Sequence, residues 1–120
     1  MKRFLIISGM VLTLGGCATS APLDLTPTSA ASASDPEWIR EYDAKMISEQ
    51  AAIQEASGRR MSRNGQILMW QNLDCMRRVD VSQLRAAKIL MQTRGLSRAQ
   101  AIAETQADPG WEIARQGCDR

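Results

Sequence analysis

Three cysteines, at positions 17, 75 and 118, carry most of the reactive chemistry in this 120-residue chain. A thiol can be acylated, oxidised to a disulfide or used as a metal ligand, and spacing discriminates among these. The gaps here are too wide for a metal-spaced cluster, and no glycine-rich phosphate loop is present. There is no histidine, which removes the usual general base, the commonest metal ligand and the neutral-pH switch together. Lys45 and Ser48 stand three apart, the separation of a serine–lysine dyad on a helix. Both are ordinary residues for an exposed helical face, and no oxyanion-stabilising device lies near them, so catalysis is not expected. Thioether clusters can hold copper(I), and Met46, Met61, Met69, Met76 and Met91 all lie beyond the N-terminal apolar run. Four of these five fall on apolar helical stripes, where methionine is an adaptable core filler. The residue inventory therefore predicts no metal, no cofactor and no small-molecule substrate.

Cys17 closes a distinctive beginning. Lys2 and Arg3 precede an apolar run from Phe4 to Leu14, and Leu14-Gly15-Gly16-Cys17 ends it. That run is about half the roughly 20 residues a membrane-spanning helix needs, which suits a secretory leader. The Leu-Gly-Gly-Cys ending resembles the lipobox of bacterial lipoproteins. The resemblance implies cleavage after Gly16, a diacylglycerol on the Cys17 thiol and an acylated new amine. Ala18, rather than an aspartate, implies delivery to the outer membrane, on its periplasmic face. With Cys17 acylated, Cys75 and Cys118 remain as an even pair in an oxidising compartment, and a disulfide between them is expected.

The formal charge of +2 comes from 15 basic and 13 acidic residues. Lys2 and Arg3 supply the whole excess, so the chain beyond the leader is neutral. An exported neutral protein gives no reason to expect nucleic acid, although the pattern around Gly95 could imitate a helix-turn-helix. Charge is segregated even so. Residues 18–57 hold seven acids and two bases, whereas residues 58–98 hold nine bases and only Asp74 and Asp80. Arg59, Arg60 and Arg63 form a basic face able to meet peptidoglycan or anionic lipid, unless the two halves neutralise one another in the fold.

The elements that must position these groups are helices. Residues 17–34, rich in Ala, Ser, Thr and Pro, read as a lipidated cysteine followed by a disordered tether, because so little apolar surface cannot offset the entropy of ordering. Residues 35–120 are expected to form one helical domain. Asp35-Pro36-Glu37 is a helix start, and Ile39, Tyr42, Met46 and Ile53 make the inner stripe of a first helix ending at Gly58. A second is expected over Gln66–Arg78, apolar on two sides, with Met69, Trp70, Leu73 and Met76 on one and Leu68, Cys75 and Val79 on the other. Asp80 or Ser82 can cap a third, closed at Gly95. Ser97 with Gln100 forms the capping box of a fourth, and Asp108-Pro109 opens a short last helix ending at Gly117. This predicts an all-α fold, a four- to five-helix bundle tied by one disulfide.

Cys75 followed by Arg77, Arg78 and Asp80, then Arg94-Gly95 and a cysteine near the C-terminus, is similar to the layout of helical pilotins of type II secretion systems. That likeness implies an outer-membrane lipoprotein that clasps a helical segment of an envelope partner. The fourth helix is too thin to cover both stripes of the second, so Met69, Trp70, Met76 and Met91 are expected to line a shallow partner groove rimmed by Arg77 and Arg78, unless Trp38 or Trp111 folds over and fills the gap. The alternative reading is a structural envelope lipoprotein acting through Arg59, Arg60 and Arg63.

Overall fold

The computed structural model describes residues 23–119. The leader, Cys17 and the first five residues of the expected tether lie outside these. Four helices account for most of the described chain: α1 (Glu37–Gly58), α2 (Arg63–Arg94), α3 (Arg98–Gln106) and α4 (Pro109–Gly117). There is no strand among the described residues. The all-α reading holds, with α2 at the centre, since α1, α3 and α4 all pack on it. The Cys75–Cys118 disulfide is formed, with 5.7 Å between the Cα atoms, and fastens the end of α4 to the middle of α2.

Most helix ends follow from local chemistry. The Ser62 hydroxyl accepts from the Gly65 N–H and starts α2. Gly95 ends it in the left-handed region at φ 68°, its N–H donating to the Met91 carbonyl, a conformation that disfavours a side chain. Ser97 and Gln100 make the capping box of α3. Asp108 caps α4 through the Gly110 N–H, with Pro109 in its first turn.

Two expectations about the helices fail. No break separates residues 66–78 from the segment ending at Gly95; α2 is one helix of 32 residues. Val79, Asp80, Val81 and Ser82 include no glycine or proline to stop it. Asp80 does not cap, because its carboxylate accepts from Arg115 Nε at 2.8 Å and from the Tyr42 hydroxyl at 3.4 Å. Asp35 does not cap α1 either. Pro36 occupies the N-cap position, and the Asp35 carboxylate turns to Arg85.

The tether expectation fails as well from Leu23 onward. The stretch from Leu25 to Asp35 is a strap along α1 and α2, descending from the last turns of α1 to its first. Gln54 Nε2 donates to the Leu25 carbonyl at 2.7 Å, and Arg77 Nη2 to the Thr28 carbonyl at 2.6 Å. The Ala30 and Ala31 N–H groups and the Ser29 hydroxyl donate to Asp43 Oδ2. Arg85 donates to the Ala30 carbonyl and holds Asp35 with two nitrogens. Composition understated this segment because polar groups, not apolar burial, bind it.

The interior is correspondingly polar. Its fully buried apolar side chains are Ile39, Val81, Ala87 and Ala101, and beside them lie Asp43, Gln50, Asp74 and Arg77.

Candidate functional site

Arg77 was expected at the rim of a partner groove, and the structure corrects this. Its side chain is buried, with Nε donating to Gln50 at 3.0 Å, Nη1 to Asp43 at 2.6 Å, and Nη2 to Asp74 and the Thr28 carbonyl at 2.6 Å each. An interior guanidinium costs several kcal/mol in lost hydration unless its donors are matched, and here all three nitrogens are occupied. Burial alone would raise the Asp43 carboxyl's pKa. The N–H groups of Ala31 and Ala30, Arg77 and the Ser29 hydroxyl overcome that and hold it below its ordinary value. Arg85 holds the Asp35 carboxyl far below the usual carboxylate range, and Asp35 in turn raises the Arg85 guanidinium.

The other expected groove residues are dispersed. Met69 borders a hollow under the strap, with Leu23, Leu25 and Pro27 opposite. Met76 lines a hollow between α1 and α2 with Met46, Leu73 and Ile53, and Ile53, expected on the inner stripe, is exposed at its mouth. Met91 is half-buried in the last turn of α2. Arg78 is half exposed and tied to Asp74 Oδ2 at 2.9 Å and the Thr28 hydroxyl at 2.7 Å.

What remains of the expected groove is a cleft between α2 and α4, of about 580 Å³. Trp70, Cys75 and Val79 form its α2 wall and floor, Trp111 and Ala114 the α4 wall, and Asp74 with Arg78 the polar edge. The α4 wall follows from spacing: Trp111, Ala114 and Cys118 fall at i, i+3 and i+7, so the disulfide that anchors the last also turns the first two toward α2. Trp111 does not fill the space; it closes one end. The Trp70 indole N–H is buried without an acceptor among the described residues, an unusual condition for a buried donor. Trp38 lies elsewhere, beneath the Arg98 guanidinium at 4.9 Å.

On the other flank of α4 a second network is internally satisfied. Arg115 bonds Asp80 and Gln83, and Gln83 Nε2 donates to the Thr105 hydroxyl at 3.0 Å. Burial raises the Tyr42 hydroxyl's pKa, and the Asp80 charge beside it adds to the effect. Lys45 and Ser48 are both exposed on α1, with no hydrogen bond between them. No group of three or more acidic or thiol side chains placed to hold a metal occurs among the described residues.

Arg59, Arg60 and Arg63 are all exposed where α1 passes into α2. Arg59 pairs with Glu55 at 3.2 Å, while no acid of the described chain lies within ion-pair distance of Arg60 or Arg63. The residues that sequence reasoning missed are Asp43, Gln50 and Asp74 inside, and Ala114 on the cleft. A signal existed: Ile39, Asp43, Met46 and Gln50 recur at i, i+4, i+7 and i+11, and Asp74, Arg77 and Val81 at i, i+3 and i+7. Polar residues of complementary charge held the inward positions of two helices.

No protein-family model, curated protein or solved structure matches this chain.

Proposed function

We propose that this chain is a lipid-anchored helical binding module of the bacterial envelope, held by Cys17 at the periplasmic face of the outer membrane. It receives an apolar helical segment of an envelope protein in the cleft between α2 and α4. A role as a pilot or assembly accessory follows. The observation that carries the reading is the open apolar cleft between Trp70 and Trp111. Apolar surface left open on a domain with so few buried aliphatic side chains marks an interaction site. The function is binding rather than chemistry.

The test is in-cell photocrosslinking from Gln71, an exposed cleft residue, with the captured protein identified by mass. Trp70→Ala should abolish capture while the melting temperature moves little, as for an interface anchor. A Trp70→Ala protein that stays folded and captures the same partner would refute the cleft. So would one that no longer folds, the expected outcome for a core tryptophan at about 3–5 kcal/mol.

A further inference from the structure

The strap fixes which end of the domain faces its membrane. Leu25 is bonded to Gln54, in the last turns of α1, about 8 Å along the helix from Arg59. Gln66 of α2 closes the same end by donating to the Gly58 and Met61 carbonyls. The chain thus leaves the fold beside Arg59, Arg60 and Arg63. From Leu23 back to Cys17 six residues span at most about 20 Å, so the domain cannot drift far from an acyl group on Cys17. Met61 and Leu68, at 40% and 65% exposure, lie at this end too. Cations beside exposed apolar side chains suit the headgroup layer of a bilayer.

We infer that the α1–α2 end docks on anionic phospholipid headgroups of the membrane that holds the anchor, with Arg60 and Arg63 as the principal contacts and Met61 and Leu68 among the headgroups. The other end of α2 then projects away from the bilayer. Arg59 contributes less, being paired with Glu55. This inference rests on acylation of Cys17. Each cation near an anionic surface strengthens docking about fivefold, so losing Arg60 and Arg63 should lower the docked-to-undocked ratio on the order of 25-fold.

The mature chain purified from the envelope tests this, with a fluorophore on Asn64→Cys or, about 42 Å along α2, on Gln92→Cys. It is reconstituted in vesicles containing headgroup-quencher lipid, either phosphatidylcholine alone or phosphatidylcholine with one part in three phosphatidylglycerol. The mass of the N-terminal peptide is measured in the same preparation. The expected result is an acylated Cys17, strong quenching at position 64 in anionic vesicles only, little at 92, and loss of the quenching in R60Q/R63Q. An acylated chain quenched equally at both positions, or equally with and without phosphatidylglycerol, or unaffected by R60Q/R63Q, overturns the docking surface while the anchor stands. A mature chain without acyl mass overturns the anchor, and the docking geometry with it.

Discussion

α2 has two flanks, closed in opposite ways. Toward the strap and α1 the contact is largely polar, with Arg77 at its centre and Asp43, Gln50, Asp74 and a main-chain carbonyl around it. Toward α4 the contact combines a disulfide with the Arg115–Asp80–Gln83 network and leaves an apolar cleft open beside them. Matched charge in an interior leaves little room for a substitute partner, because every guanidinium nitrogen already has an acceptor. A helix held by a disulfide and by Arg115 can leave apolar surface uncovered without coming off. The first flank sets the fold, and the second can be spared for binding.

Breaking the polar flank should have the largest effect. Arg77→Met takes the shared cation from Asp43 and Asp74 in the interior, leaving Asp43 with strap donors alone and Asp74 with Arg78, and a loss of about 3–5 kcal/mol is expected by urea denaturation. Adding Asp43→Leu and Asp74→Leu should recover part of that loss, since apolar replacements need no partner. No recovery in the triple variant would mean that the network's value lies in holding the strap. Opening the Cys75–Cys118 bond, which closes a sequence separation of 43 residues, should cost about 2–4 kcal/mol and release α4 selectively. Hydrogen exchange would show it as faster exchange in α4 with α1 and α2 still protected. Uniform deprotection would erase the distinction between the flanks.

Acid should produce a smaller effect confined to the strap flank. Asp35 and Asp43 have folded pKa values below the 3.8 of an unperturbed aspartate. Their stabilisation is therefore fully present above the unfolded value and is lost as pH falls through the folded ones. The melting temperature should be flat down to about pH 5 and decline below about pH 4. In Asp35→Asn the decline should be shallower from a lower starting point; an unchanged acid slope would remove Asp35 from the account.

The helix ends at Gly58, Gly95, Ser97 and Pro109 were legible because caps are local, each decided within four residues. The single α2 was not. Asp80 is a good cap by itself and is diverted by Arg115 and Tyr42, 35 and 38 positions away in sequence. The strap was illegible for the same reason: a Ser-Ala-rich segment supplies carbonyls and N–H groups, and only the arrangement of Arg77, Arg85 and Asp43 makes them worth ordering. Composition detects apolar burial, and this flank uses little. On the cleft, Trp70, Arg78 and Trp111 were visible as types, whereas Ala114 needed the Cys75–Cys118 pairing to bring it across.

The direction of the strap has a mechanical consequence. Pulling on its N-terminal end, away from the domain past the α1–α2 turn, draws it lengthwise between α1 and α2. The bonds to Gln54, Arg77, Asp43 and Arg85 are then loaded together in shear, where pulling sideways would open them one at a time. A domain tugged from that end by the motion of a bound partner should therefore resist as a unit, and yield abruptly once it yields.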